Sequence, residues 1–312
     1  MESKELRLSY TETLIDLAKE NKNIVVLEAD LSKTTGTQAF KELFPDRFIN
    51  VGIAEANMVG VASGLSAAGK IPFAATFACF ASRRAYDQFF LSANYARLNV
   101  KLVGTDPGVT AAFNGGTHMP FEDLALMRVI PGLTIIEPSD PISCAAFVKE
   151  MYKMYGCCYL RIPRKPAVPN LYPTHESFTI GTSKVLKNGN DICIIALGAL
   201  MVQESLKAAE SLSKDGISAS VIDVLTLKPL DLTTILDQSM KCKAVLTAEN
   251  HQVIGGLGSA VAEILLENEY KGKFGRVGIQ DEFGEVGTLD YLVKRFGLDS
   301  ESIITKVKEL LH

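Results

Sequence analysis

Short apolar segments alternate with amphipathic segments along the whole chain, and this alternation restricts the fold more than any other feature. Apolar runs such as Ile24–Glu28 and Ile192–Leu197 have the length of strands that are buried on both faces. Between these runs lie segments with helical periodicity, for example residues 141–154. Strands that alternate with helices are typical of parallel sheets covered by helices. The sequence therefore predicts an α/β fold with mostly parallel sheets.

A proline-rich stretch interrupts this pattern near the middle of the chain. Residues 163–173 contain four prolines and show no hydrophobic periodicity, which is typical of a linker. A chain of 312 residues is long enough for two ordinary domains. We therefore predict two consecutive open α/β sandwich domains, at residues 1–168 and 181–312, joined by a linker at residues 169–180.

The composition argues against several functional classes. A formal net charge of −4 and the lack of a basic run argue against nucleic-acid binding. The longest apolar runs, such as residues 192–202, are too short to cross a membrane, and residues 1–7 do not resemble a secretory signal. The six cysteines lack metal-ligand spacing, which suits reduced thiols. We therefore expect a cytoplasmic protein that holds no metal ion with its own residues.

Glu55 is the most informative single residue. It follows a strand-like run and begins a Gly- and Ala-rich apolar segment, where a buried carboxylate is costly without a partner. Two aromatic residues, Phe77 and Phe80, come directly after the next predicted strand. An acid beside an aromatic pocket could bind a basic heteroaromatic ring of a cofactor. Alternatively, Glu55 is a carboxylate at a helix N-terminus, where the helix dipole stabilises it.

A glycine-rich loop with one histidine, residues 105–118, follows another predicted strand. Open α/β sheets bind ligands at the carboxyl ends of their strands, so the loop amides and His118 could hold polar or anionic groups. A solvated loop with a capping histidine is the alternative. Arg161 and Arg164, at the end of the first half, could bind an anionic substrate or could form structural salt bridges.

Taken together, these motifs resemble the C-terminal half of a transketolase, that is, its pyrimidine-binding domain and its C-terminal domain. The resemblance extends over essentially the whole chain. It rests on six segments: 53–58 (IAEANM), 75–80 (ATFACF), 116–120 (GTHMP), 122–128 (EDLALMR), 130–132 (IPG) and 248–251 (AENH). Each segment alone is weak, and the combination is specific.

The resemblance implies an enzyme that uses thiamine diphosphate. In this family a carboxyl group at N1′ of the aminopyrimidine stabilises the imino tautomer that activates the cofactor, and Glu55 matches this position. Phe77 and Phe80 match the aromatic residues that pack on the pyrimidine ring. Asp30 matches an acidic residue near the cofactor and the subunit interface. Arg83 stands where the family has a tyrosine in the aromatic pocket.

The resemblance also implies a partner. In the family a separate domain with a Gly-Asp-Gly motif holds the diphosphate and its divalent metal, Mg²⁺ or another ion. This sequence contains no such motif. We therefore expect the C-terminal subunit of a split transketolase, which is active only with an N-terminal subunit that holds the diphosphate and metal. Self-association would give an α2β2 assembly.

Four candidate substrate residues match the family's pattern. Arg7 and Arg164 align with two arginines that bind the sugar phosphate, and Thr34 aligns with a phosphate-binding serine. His118 matches a histidine that faces the cofactor and the substrate, so we expect it to be catalytic together with Glu55.

Two further positions depart from that pattern. Asp106 stands where a sugar-binding histidine is usual, and Asn114 replaces an aspartate that reads the stereochemistry of the substrate's hydroxyl groups. These changes lie at the sugar channel and spare Glu55. We therefore expect transfer of a two-carbon ketol unit between sugar phosphates or related anionic sugars, with an unusual sugar or anionic group possible.

Other functions remain open on the sequence. The beta subunit of a 2-oxo-acid dehydrogenase has a similar size, fold and catalytic glutamate, although the GTHMP and EDLALMR motifs favour a transketolase. A fragment of a 1-deoxyxylulose-phosphate synthase is less favoured because that family is normally one chain. A non-catalytic partner subunit is the alternative from another class.

Overall fold

The structure is a computed structural model, and it describes residues 3–312. Its strands are β1 (Ser3–Lys4), β2 (Ile24–Glu28), β3 (Phe48–Asn50), β4 (Ile71–Phe77), β5 (Lys101–Thr105), β6 (Thr134–Ile136), β7 (Cys158–Ile162), β8 (Val168–Pro169), β9 (Lys184–Lys187), β10 (Ile192–Leu197), β11 (Ala219–Asp223), β12 (Thr226–Lys228), β13 (Ala244–Gln252) and β14 (Lys273–Ile279). Its α-helices are α1 (Leu6–Glu20), α2 (Ser32–Thr35), α3 (Gln38–Leu43), α4 (Glu55–Ala67), α5 (Ala78–Arg83), α6 (Tyr86–Gln88), α7 (Asp123–Arg128), α8 (Pro141–Lys153), α9 (Gly198–Lys214), α10 (Leu232–Ser239), α11 (Leu257–Glu267), α12 (Leu289–Arg295) and α13 (Ser300–Leu311).

The first half of the chain builds a sheet in the order β3-β2-β4-β5-β7-β6, and its neighbouring strands are parallel. The register pairs Phe77 of β4 with Thr105 of β5, and Thr105 with Ile162 of β7. The carboxyl ends of these central strands therefore lie side by side. Residues that follow them come together at one edge of the sheet.

The second half builds a five-stranded sheet in the order β14-β13-β10-β11-β9, in which only β9 is antiparallel to its neighbour. Helix α9 packs on one face with α13, and α11 also packs against this sheet. The predicted fold class is confirmed: both halves are α/β units with mostly parallel sheets.

One strand crosses between the halves. The short strand β12 lies in the second half of the sequence but extends the first sheet, pairing antiparallel with β6. Only two residue pairs define its pairing with β6, and so short a strand has no recognisable hydrophobic periodicity. The sequence therefore does not predict it. The two sheets are thus tied together by backbone hydrogen bonds as well as by side chains.

Buried apolar side chains and capping hydrogen bonds fix the helices of the first half. Leu6, Tyr10 and Leu14 of α1 belong to a buried cluster that also contains Phe73 of the sheet. Helix α8 begins with a capping box, in which the Asp140 side chain accepts from a backbone N–H three residues on. Helices α1 and α8 pack against each other over this face of the sheet.

Local structure departs from the predicted pattern after β4. The sequence predicts one helix from about residue 82 to 95, whereas α5 begins at Ala78, directly after the strand. The helical segment then breaks into α6 and a π-helical turn, Phe89–Tyr95. The predicted loop 105–118 contains two 3₁₀ turns, with a kink at Ala112 (φ 46°). No helix within residues 3–312 is long and apolar enough to span a membrane.

Candidate active site

Glu55 is the first residue of α4, five residues after Asn50, where β3 ends. Its side chain is only 4% exposed, and Oε1 accepts a hydrogen bond from Nη1 of Arg84 at 3.0 Å. The other oxygen, Oε2, accepts no hydrogen bond from residues 3–312. Arg84 itself is 49% exposed, so the ion pair lies at the edge of the buried region. The carboxylate therefore keeps acceptor capacity that this part of the chain does not use.

Three aromatic rings form a cluster that Arg84 connects to this carboxylate. The ring centroids of Phe77 and Phe80 are 5.8 Å apart, and those of Phe80 and His118 are 5.3 Å apart. The guanidinium of Arg84 lies 3.9 Å from the Phe80 centroid, so Arg84 contacts both the ring and Glu55. Arg84 is not among the site residues predicted from the sequence. The available signal in the sequence was the pair of consecutive arginines, Arg83 and Arg84. The sequence does not show which of the two faces Glu55.

His118 lies in a short 3₁₀ turn, and its Nδ1 is 2.9 Å from the Thr117 hydroxyl. Arg83 holds this turn, donating to the backbone oxygens of Thr117 and Met119 at 3.1 Å each and pairing with Glu122. The resemblance assigned Arg83 to the aromatic pocket. In the structure its guanidinium supports the segment that carries His118 and lines a neighbouring cleft of about 870 Å³.

Arg164 lies on the other side of the aromatic cluster, with its guanidinium 5.7 Å from the Phe77 centroid. Its Nε is 3.2 Å from Oδ2 of Asp106, an ion-pair distance without hydrogen-bond geometry. Burial raises the pKa of Asp106 to about 6, although Arg164 and Arg7 act to lower it. Arg164 and Asn114 line one cleft of about 370 Å³, so these two predicted substrate residues share a cavity.

Arg7 and Thr34 are in contact through the backbone. Arg7 donates from Nη1 to the carbonyl oxygen of Thr34 at 2.7 Å, and its guanidinium also pairs with Glu5 at 2.7 Å. Asp30 is exposed and exchanges hydrogen bonds with Asn50, and no contact joins it to Glu55. Arg84 thus joins the predicted residues into one group from Glu55 to Arg164, with Arg7 and Thr34 beside it and Asp30 more peripheral.

Arg161 has a different environment from Arg164. It is fully buried, forms two hydrogen bonds with Asp123 (2.7 and 3.0 Å) and two with Glu137 (2.9 Å each), and donates to the Asn250 carbonyl at 2.8 Å. Of the two interpretations of Arg161, the structure supports the structural salt bridge. We call Arg161, Asp123, Glu137 and Asn250 the interdomain network because it joins the two halves.

Metal ligation was not expected from this chain. Among residues 3–312, the structure groups no three His, Cys, Asp or Glu side chains in an arrangement that could hold a metal ion. His251 is fully buried, burial lowers its pKa to about 4, and its Nε2 accepts from the Ala125 amide at 3.3 Å. This histidine is therefore a packed structural residue.

Comparison with known proteins gives the family. A model for the transketolase pyrimidine-binding domain matches residues 2–168, and one for the transketolase C-terminal domain matches residues 181–303. The chain belongs to the transketolase family. That family depends on thiamine diphosphate.

Individual relatives indicate which part of a transketolase this chain resembles. The chain is 48% identical to the 6-deoxy-6-sulfo-D-fructose transketolase subunit SqwH of Clostridium sp. (strain MSTE9), covering 98% of this chain and 94% of the relative. It is 43% identical to a putative transketolase C-terminal section of Methanocaldococcus jannaschii, with 98% and 96% covered. A solved structure described as a split gene transketolase, inactive beta4 tetramer, matches with a TM-score of 0.90, 43% identity and 99% of both chains covered. The chain is thus similar in full length to C-terminal subunits of split transketolases.

Proposed function

We propose that this chain is the C-terminal subunit of a thiamine-diphosphate-dependent transketolase that transfers a two-carbon ketol unit between anionic sugars. The observation that carries the proposal is the free Oε2 of buried Glu55, which Arg84 connects to the rings of Phe77, Phe80 and His118. These groups lie at the carboxyl edge of a parallel sheet, where α/β proteins bind ligands.

The residues present fit the aminopyrimidine of this cofactor. Oε2 of Glu55 can hold a proton shared with the ring nitrogen N1′, since no other donor in residues 3–312 uses it. Phe77 and Phe80 offer apolar faces for the ring, a contact worth about 0.5–1.5 kcal/mol beyond the buried area. When bound, the cofactor supplies carbanion stabilisation, which amino-acid side chains cannot provide.

The substrate would occupy the space between His118 and Arg164. His118 can donate or accept a hydrogen bond at the sugar's oxygen atoms, because its Nε2 is not engaged by residues 3–312. Arg164 can pair with the anionic end of the sugar in the cleft that it shares with Asn114. The SqwH relative is named for a sulfonated sugar, so we include anionic sugars other than phosphates among the substrates.

A partner subunit completes the proposed enzyme. The two matching family models are the pyrimidine-binding and C-terminal domains, and the relatives named as a subunit and a C-terminal section match over nearly their full lengths. These observations support an N-terminal subunit that holds the diphosphate and its metal ion. The β4 tetramer described for the similar solved protein supports self-association of this chain, which we propose becomes α2β2 with the partner.

Reconstitution tests this function. The chain would be assayed alone and with its N-terminal subunit, using a ketose donor and an aldehyde acceptor, and separately using pyruvate with an artificial electron acceptor. We expect ketol transfer only in the two-subunit sample. Turnover of pyruvate without ketol transfer would instead identify a 2-oxo-acid dehydrogenase subunit, and no turnover by the complex in either assay would support a non-catalytic role.

A further inference from the structure

Both arginines of the proposed anion site already have a carboxylate partner within this chain. Arg164 has Asp106 at 3.2 Å, and Arg7 has Glu5 at 2.7 Å. The two arginines therefore do not present two unpaired positive charges to a substrate. The positive potential in the cleft is weaker than the arginines alone would create.

Asp106 is the more enclosed of these two carboxylates. It directly follows β5, is 1% exposed, and is anchored by its backbone amide, which donates to the Ile162 carbonyl at 3.1 Å. Neither carboxylate oxygen receives a hydrogen bond with good geometry from residues 3–312. Because its pKa is about 6, Asp106 is mostly ionised near neutral pH. A fixed negative charge therefore lies next to the Arg164 guanidinium.

A fixed negative charge discriminates between ligands by their charge. Coulomb repulsion is proportional to the charge of the ligand, so a dianion is opposed twice as strongly as a monoanion at the same distance. A phosphate monoester carries about −1.5 to −2 charges at pH 7, whereas a sulfonate carries one. Arg164 lines the cleft together with Lys165 and Asp290, and Asp106 lies 3.2 Å from Arg164. Because Asp106 is buried, its charge is screened less than a surface charge.

We infer that Asp106 shifts the anion selectivity of this site away from a phosphate dianion and toward a sugar with a singly charged terminal group such as sulfonate. The inference deepens the proposed function and rests on it. Attraction by Arg164 and repulsion by Asp106 both scale with the charge of the anion, so Asp106 opposes the dianion with twice the energy with which it opposes the monoanion.

Asp106→Asn removes the charge and keeps the shape. Asp106 has a positive φ of 56°, a conformation in which asparagine is well tolerated, so the variant should fold. Asp237→Asn, at an exposed position of α10, is the matched control. The two-subunit enzyme would be titrated calorimetrically with 6-deoxy-6-sulfo-D-fructose and with fructose 6-phosphate, and kcat/KM would be measured for both donors.

The affinities of the wild-type enzyme for the sulfonate and for the phosphate give the reference ratio. In Asp106→Asn the ratio of the two affinities should shift toward phosphate by at least about tenfold. Asp237→Asn should leave the ratio unchanged. An unchanged ratio in Asp106→Asn, or a shift toward the sulfonate, would overturn the inference. If ketol transfer is absent but the binding ratio shifts as expected, the proposed function fails while the anion assignment stands.

Discussion

The interdomain network and the cleft around Glu55 contain the same kinds of side chain, yet they differ in how fully those side chains are hydrogen bonded. Arg161 forms five hydrogen bonds with protein acceptors and has no contact with solvent. Arg164, three residues later, is 25% exposed and has one loosely oriented carboxylate partner. Saturated charges hold the fold together, whereas charges with spare capacity can bind a ligand.

The same difference separates two buried glutamates near helix N-termini. Glu249 uses both of its oxygens to accept the backbone amides of Leu257 and Gly258 at the start of α11, at 2.7 and 2.8 Å. Glu55 uses one oxygen, for a side chain that is half exposed. Burial alone therefore does not identify a functional carboxylate, and unused acceptor capacity distinguishes the two.

The largest effect on stability is expected at Arg161. Arg161→Gln should lower the free energy of unfolding by about 3–5 kcal/mol, because it leaves Asp123 and Glu137 buried without their charged partner. Urea unfolding of the purified chain would measure this loss. Arg164→Gln is the comparison variant and should cost less, because it leaves one buried carboxylate, Asp106, in place of two, and that contact lacks hydrogen-bond geometry. Equal losses in the two variants would contradict the distinction between the network and the cleft.

A smaller loss is expected at Glu249. Glu249→Gln keeps one acceptor but turns an amide N–H₂ toward a backbone donor, which should cost about 1–3 kcal/mol of unfolding free energy. Glu263→Gln, at an exposed position of the same helix, should change stability by less than about 0.5 kcal/mol. Ketol transfer per folded enzyme should stay near the wild-type value in Glu249→Gln. A large fall in kcat there would show that helix capping is not its only role.

Glu28 is a third buried glutamate, and its environment predicts that the stability of the fold depends on pH. It is fully buried, one oxygen accepts from the hydroxyls of Thr35 and Thr37, and burial raises its pKa from 4.5 to about 8. The stabilising effect of this raised pKa is complete below about pH 4.5 and is lost as the pH rises to about 8. Relative to Glu28→Gln, the wild type should therefore lose up to about 1.4 kcal/mol per pH unit in this window. Parallel stability profiles of the two proteins would contradict this assignment.

Much of the architecture could be predicted from the sequence, because periodicity and turn residues are local signals. The parallel strands, and the position of Glu55, Phe77 and His118 near strand ends, follow from such signals. The ion pair of Glu55 with Arg84 does not, since it depends on how α4 and α5 pack. Likewise β12 pairs with a strand about 90 residues earlier, and no local pattern encodes that contact.

The two positions that depart from the family pattern in the proposed substrate site show the same limit. Asp106 and Asn114 could be recognised from sequence as unusual, but the sequence did not show that Asp106 lies against Arg164 and is almost completely buried. Nor did it show that Arg83 supports the His118 turn, because that depends on three contacts across 34 to 39 residues of sequence. The candidate functional residues could therefore be predicted from the sequence, whereas the contacts between their side chains could not.

The central claim is that the free oxygen of Glu55 activates the cofactor, and Glu55→Gln tests it most directly. The variant, assembled with the N-terminal subunit, would be titrated with thiamine diphosphate, and its rate of ketol transfer would be divided by the amount of bound cofactor. We predict that the cofactor still binds and that the normalised rate falls by about 10²–10⁴-fold. A normalised rate near that of the wild-type enzyme would contradict the account.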